Sequence, residues 1–417
     1  MSGSRAASLD CDVLIVGGGA VGSALACALA ELPLDVVLVE ARETATLEQP
    51  SFDSRTTALA NGSQKILASL GVWPELAARA EPIRSIHVSE RGRFGAARIE
   101  AQEEGVEALG VTVENAALGR VLWARLERAP RLTTLAPATV AELAPRADAA
   151  EARVEPGARA VRARLVVGAD GARSSVRAAL GVAAAEHDYA QRSLVFNCTT
   201  EVPLAGRAFE RFTKRGAVAF LPLAGERAAV IWTLPSLDAE RVLALPDEGF
   251  RAELQATFGF RLGRIGRIGE RRAHALARVA SEELTRERAL LIGDAALRLH
   301  PIAAQGFNLA LRDVATLAEV IAEELTSARA RGVAADAGSS AVLERYRDWR
   351  AADRGRVSAF THGLVRLFGE SVPGFGVGRG LGLVAFDLLP GAKALLARTT
   401  MGRAGRVPRL ARGLPLS

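Results

Sequence analysis

One pattern near the start of this chain restricts its fold more than any other. Asp12-Val13-Leu14-Ile15-Val16 is an apolar, strand-like run, and Gly17, Gly19 and Gly22 follow it at GxGxxG spacing. Ser23 to Leu32 has helical composition, and Asp35 to Glu40 is a second apolar strand. Glu40 lies 21 residues after Gly19. Each part has a physical task. Gly17 permits a tight turn, Gly19 lets a pyrophosphate approach the backbone, and Gly22 lets the helix pack against the strand. The helix N-terminus offers free N–H groups and the positive end of its dipole. Glu40 can accept hydrogen bonds from a ribose 2′-hydroxyl, and its charge disfavours a 2′-phosphate. A glycine-rich turn alone is ordinary. Strand, helix, second strand and spaced acid together predict a βαβ unit that binds a dinucleotide, without separating NAD from FAD.

Two later segments add to it. Leu165-Val166-Val167 runs into Gly168-Ala169-Asp170-Gly171-Ala172-Arg173-Ser174-Ser175-Val176-Arg177, a DGxxSxxR pattern built on Asp170, Gly171, Ser174 and Arg177. Taken alone, it also fits a capped surface helix. Ala289-Leu290-Leu291-Ile292 reads as a buried strand and leads into Gly293-Asp294. From there the chain passes through small residues, His300, Pro301 and Gly306 to a helix beginning at Phe307-Asn308. Small residues and glycine at a helix start allow close approach to a bulky, partly anionic ligand.

Composition narrows the setting. Hydrophobic residues make up 49% of the 417, ample for a core. Cys11, Cys27 and Cys198 are far apart, and neither they nor the five histidines form a metal-ligand spacing, so a reducing compartment and no metal are expected. Met1 to Asp10 is short and polar, and Val13–Val16 is too short for a signal-peptide core. No uncharged apolar run reaches the ~18 residues that span a bilayer. Eight Lys/Arg within 363–417 face only Glu370 and Asp387, so the formal net charge of +6 is a property of this C-terminal region. That distribution, with no aromatic interleaving, argues against nucleic acid.

The three segments, in this order and spacing, resemble the FAD-dependent aromatic hydroxylases related to p-hydroxybenzoate hydroxylase. Asp53-Ser54-Arg55-Thr56-Thr57-Ala58-Leu59, Gly71-Val72-Trp73, Ile86 to Gly92, Leu299-His300-Pro301-Ile302 and Val377 to Leu383 resemble the ubiquinone-biosynthesis hydroxylases, in particular the branch acting on polyprenyl-methoxyphenols. The similarity covers about residues 10–400. The implied fold is α/β: a Rossmann-like FAD-binding domain built from 10–80, 103–184 and 284–330, an inserted antiparallel β substrate domain from 81–102 and 185–283, and a helical, basic region at 341–417.

The resemblance also implies site roles. Gly17, Gly19, Gly22, Glu40, Asp170 and Gly171 would hold FAD, Asp294 would bond its ribityl chain, and Arg55 would contact it after the second strand. Asn115 or Arg120 would reach the ribityl-phosphate region. For Arg55 and Arg120 the plain alternative is solvated surface charge. Pro301, Ala304, Gln305, Gly306, Phe307 and Asn308 would lie beside the isoalloxazine, with Pro301 and Gln305 at its catalytic edge. His300 is the candidate general base by position, against a packed structural role. The family usually has Gly-Gln-Gly where this chain has Ala304-Gln305-Gly306, Gly at the position of Ala310, and His at that of Leu297.

The implied reaction is hydroxylation of a polyprenyl-methoxyphenol with NAD(P)H and O2 through a flavin C4a-hydroperoxide. Expected partners are the polyprenyl-phenol, O2, and a membrane or biosynthetic complex met through the basic region. The expected location is cytoplasmic, peripheral on the inner face of the membrane. A hydroxylase for another ring position, a flavin-binding scaffold with little catalysis, and a halogenase or prenyl reductase use the same framework. The halogenase signature WxWxIP is missing: Trp73, Trp123, Trp232 and Trp349 stand singly.

Overall fold

The computed structural model describes residues 8–43, 56–300, 302–369, 387 and 389–416. Asp53, Ser54, Arg55, Pro301 and the run Val377–Leu383 lie outside the described residues.

Strand β1 (Leu9–Val16) buries Val13, Leu14 and Ile15 completely, a transfer worth roughly 1.5–3 kcal/mol per side chain. Helix α1 (Ala20–Leu29) follows and returns the chain to β2 (Val36–Val39). Its N-cap is Gly19, and no side chain caps it. Helix α2 (Asn115–Leu126) then leads to β3 (Leu132–Leu135), and β4 (Arg159–Gly168) completes this part. These strands are parallel, in the order β3–β2–β1–β4. A three-stranded sheet of Thr56–Ala60, Gly110–Glu114 and Glu81–Ile83 lies beside them.

The chain then builds a second sheet of nine strands. Its centre is β5 (Ala184–Thr200), β6 (Arg207–Thr213), β7 (Gly216–Pro222), β8 (Arg227–Pro235) and β9 (Arg272–Ser281). The order is β9–β5–β8–β7–β6, continued by Ser85–Glu90 and Ala96–Glu100. Pairing is antiparallel except between β6 and Ser85–Glu90, which run parallel. Helices α3 (Ser236–Leu243) and α4 (Asp247–Phe258) cover one face, where Phe196, Phe220 and Trp232 pack with Phe250, Leu254 and Phe258. The other face turns toward the first domain.

Strand β10 (Ala289–Leu291) rejoins the first sheet beside β4, giving the order 3-2-1-4 plus a fifth parallel strand, a doubly wound Rossmann arrangement. Helices α5 (Gln305–Arg331), α6 (Ser340–Gly369) and α7 (Pro390–Thr400) form the C-terminal part. Among the described residues, no helix is long and apolar enough to cross a membrane.

Candidate active site

Register decides which residues meet. Val16 stands opposite both Gly168 and Val39, and Gly168 opposite Leu291. The residues that leave β1, β4, β2 and β10 therefore emerge along one sheet edge: Gly17, Ala169-Asp170, Glu40 and Gly293-Asp294. This is the C-terminal edge of the parallel strands, at the point where strand order reverses, where α/β sheets bind ligands.

Gly17 has φ +105°, and a Cβ there would lie 2.6 Å from the Ala169 carbonyl oxygen. A Cβ on Gly22 would lie 1.9 Å from the Gly17 carbonyl oxygen. Gly22 is therefore a packing requirement of the turn. Glu40 is buried, and its carboxylate accepts the Gly18 N–H at 2.6 Å and the Arg42 N–H at 3.0 Å. It is fixed at the sheet edge with lone pairs left over for a ribose.

Gly17, Gly19, Glu40, Asn115, Asp170, Gly171, Asp294 and Phe307 all line one cavity of about 470 Å³. Asn115 accepts the Thr57 hydroxyl at 2.5 Å. Asp170 accepts the Ser175 hydroxyl and the Val176 N–H through Oδ2, while its buried Oδ1 has no partner among the described residues. A carboxylate oxygen left bare against a cavity suits the hydroxyls of a nucleotide ligand. The residues thus fit FAD: a helix N-terminus for phosphate, and acids for ribose and ribityl hydroxyls. Arg177 braces this turn, donating to the Ala172 and Ala295 carbonyls.

Other predicted residues lie outside this cavity's lining. Arg120 is exposed on α2 and is not part of it. Asn308 is buried and directs its whole side-chain amide to the backbone. It accepts the Ala60 N–H and donates to the Ala58 and Ala304 carbonyls. It anchors the loop that the resemblance places beside the isoalloxazine. Gln305 is buried and reaches the Thr400 carbonyl of α7 at 3.5 Å. Gly306 faces open space, where a Cβ would meet nothing within 4 Å. Ala304 is the N-cap of α5 at φ 50°, ψ 36°, and no side chain caps that helix.

His300 is also reassigned by its geometry. Its Nδ1 accepts the Ile302 N–H at 3.2 Å, which places the proton on Nε2, facing Gln191 Oε1 at 3.2 Å. Tyr189 packs edge-on at 4.9 Å. Burial pushes the imidazole down to about 4. Both nitrogens are engaged and the ring is neutral, so it ties the loop to β5 and has no free lone pair for a substrate proton.

Motif reading quoted Thr57 without assigning it to the site, and it missed Arg42 and the Ala138–Val140 wall of the cavity, which carry no local pattern. It also missed Asp313 of α5. This residue accepts the Gly293 N–H at 3.3 Å and is gripped by Arg350 at 2.7 Å and Arg354 at 3.1 Å, all buried. A separate cavity of about 700 Å³ between β9 and α6 contains none of the predicted residues.

A doubly wound domain with this cradle, joined to a large sheet facing it, defines an FAD-dependent aromatic hydroxylase. The FAD binding domain family matches residues 10–350. Ubiquinone hydroxylase UbiL of Rhodospirillum rubrum is 39% identical over 408 residues, covering 97% of this chain and 93% of that protein. The 3-demethoxyubiquinol 3-hydroxylase of Escherichia coli is 33% identical, covering 90% and 94%. p-Nitrophenol 4-monooxygenase PnpA of Pseudomonas putida shares the fold with a TM-score of 0.75 at 19% identity, covering 95% of this chain and all of that one. The chain belongs to the FAD-dependent hydroxylases of ubiquinone biosynthesis, which in general use NAD(P)H as co-substrate.

Proposed function

We propose that this protein hydroxylates the ring of a polyprenyl-methoxyphenol on the way to ubiquinone, consuming NAD(P)H and O2. The observation that carries this reading is the convergence of Gly17, Glu40, Asp170 and Asp294 on one sheet edge in a chain 39% identical to a ubiquinone hydroxylase. Bound FAD supplies the redox chemistry, taking a hydride and activating O2. The α1 N-terminus would face the pyrophosphate, Glu40 the ribose and Asp294 the ribityl chain. The uncapped α5 N-terminus at Gln305–Phe307 would offer its N–H groups to the flavin edge that becomes anionic on reduction. Segments 10–80, 103–184 and 284–330 would act as the cofactor unit, and 81–102 with 185–283 as the substrate unit.

A peripheral membrane contact belongs to the same proposal. Leu389 and Leu395 are exposed on and before α7, near exposed Arg398 and Arg403. Much of the basic character is already matched, however. Lys393 pairs with Glu103, Arg398 with Glu104, and Arg406 with Glu323.

The test measures NADH and NADPH oxidation, O2 uptake and product by the FAD-loaded protein, with and without a short-chain prenyl-methoxyphenol. The expected result is substrate-dependent oxidation with one oxygen atom inserted in the ring, and the product's structure gives the position. Oxidation without ring product under any condition would favour the scaffold reading. Presenting the substrate in anionic vesicles at low and high salt tests the membrane contact, which predicts a salt-sensitive gain in rate.

A further inference from the structure

The large sheet has two faces, and contacts identify each. Arg192 of β5 pairs with Glu240 of α3 at 3.0 Å, and Arg211 of β6 donates to the Phe258 carbonyl of α4. Those side chains point to the helical layer. Gln191 of β5 meets His300 at 3.2 Å, and Arg227 of β8 pairs with Glu114 at 3.4 Å, next to the cavity-lining Asn115. These point to the FAD domain. Side chains alternate along a strand. Glu210, the neighbour of Arg211, therefore faces the FAD domain.

Its place on that face follows from the register. One row joins Val195, Ile231, Ala219, Glu210 and Val88 across five strands. Along β5, Val195 is four residues from Gln191 and four from Thr199, which lies opposite Arg227. The Glu210 row thus runs midway between the two places where the FAD domain grips this sheet, ~13 Å from each. Ala219 lies directly beside Glu210, with Ala217 and Ala229 nearby on the same face, so the side chains around the carboxyl are small. The row next to it carries His274, Ser193 and Thr233, and the buried Ser193 hydroxyl has no partner among the described residues.

Among the described residues, Glu210 has no ion pair. The charged and titratable groups on its face are Glu90 one row along on Ser85–Glu90, His274 and Arg272 on β9, and the Arg227–Glu114 pair at the far end. None of them lies beside it in its row except Arg272, four strands away. Glu81 lies on the strand Glu81–Ile83, which packs near β7.

We infer that Glu210 is the catalytic base that receives the phenolic proton of the substrate. As the ring carbon is oxygenated by the O2 chemistry of the established activity, the phenol O–H becomes strongly acidic. That O–H bond breaks, its proton passes to a Glu210 carboxylate oxygen, and the electron pair stays on the ring oxygen as it becomes a carbonyl. Burial pushes the Glu210 carboxyl up to about 7. A base with that value is matched to neutral pH, whereas an ordinary glutamate would be too weak. This inference rests on the phenol-hydroxylase reading above.

The experiment compares wild type and Glu210→Gln, both loaded with FAD, on a short-chain prenyl-methoxyphenol. In wild type, kcat should rise with pH through about 7. In Glu210→Gln that limb should vanish and kcat should fall about 100-fold or more, while flavin reduction by NAD(P)H stays unchanged. Hydroxylation by the variant at near wild-type rate with the same pH profile would overturn the inference and leave the proposed function standing. If wild type hydroxylates no phenol, the proposed function fails first. A binding measurement on wild type alone decides the matter if the variant does not fold. The phenol should bind about tenfold tighter at pH 8 than at pH 6 by donating to the ionised carboxylate, and its O-methyl ether should show no such gain. Equal pH dependence for the two ligands counts against Glu210.

Discussion

Ala304 occupies a conformation that L-residues other than Asn and Asp rarely adopt. At φ 50° and ψ 36° its Cβ crowds the following carbonyl, a strain of about 1–2 kcal/mol that glycine does not have. The family's usual glycine at this position therefore has a backbone reason. Ala304→Gly should stabilise the protein by about 1 kcal/mol, less whatever the unfolded chain gains in entropy, read as a raised urea midpoint. A lowered midpoint would mean that the methyl packs usefully. The left-handed turn was not visible in the sequence. Ala is an ordinary helix former, and only the tether from Asn308 to the Ala304 carbonyl, together with the His300 bond to Ile302, shows how the loop is held. Glu210 was equally illegible, since a strand glutamate reads as solvent-facing until packing shows which face is covered.

At the scale of elements, α5 and α6 form a clamp on the Gly293-Asp294 turn. Leu311, Val314, Leu317 and Ile321 recur along α5 at helical spacing, a pattern visible in the sequence, and all four are fully buried. The polar half of the clamp was not readable. Asp313 meets Arg350 and Arg354 only because two helices pack, and residues 37 and 41 apart show no local periodicity. Asp313→Asn removes one charge from a buried network and should cost about 3 kcal/mol in urea unfolding. Because Asp313 also holds the Gly293 N–H, FAD affinity should fall in the surviving folded protein, measurable by flavin fluorescence titration. An unchanged FAD affinity would show that Asp294 is held by other contacts. The N-terminal βαβ unit was, by contrast, legible, because its strand, glycines, helix and acid all fall within thirty residues.

Across the whole molecule, buried titratable groups set opposing pH windows. His300 and His87 are each pushed down to about 4, His300 by burial and His87 by burial together with Arg261, Arg98 and Arg211. Folded, they stay neutral, so their contribution is whole above pH 6.5 and is lost as pH falls through about 4. Glu210 is raised, so its contribution is whole below pH 4.5 and lost as pH rises through about 7. Urea midpoints should therefore fall on acidification from pH 6.5 to 4, two histidines outweighing one carboxyl. At pH 8, Glu210→Gln should be more stable than wild type, as expected where a half-buried base is kept for chemistry. A wild-type midpoint that does not fall between pH 6.5 and pH 4 would contradict the histidine assignments, and a Glu210→Gln midpoint no higher than wild type at pH 8 would contradict that of Glu210.

The interleaved path of the chain has a consequence for biogenesis. Strand β10 and the turn after it are made only after eight of the nine strands of the large sheet, yet they supply one wall of the flavin cradle. A nascent chain that has exposed Gly17, Glu40 and Asp170 still lacks Asp294 and Phe307. Flavin capture is thus among the last events of synthesis, and chains stalled anywhere before β10 emerge as empty apoprotein with Val166, Val167 and Gly168 of β4 unpaired on that side.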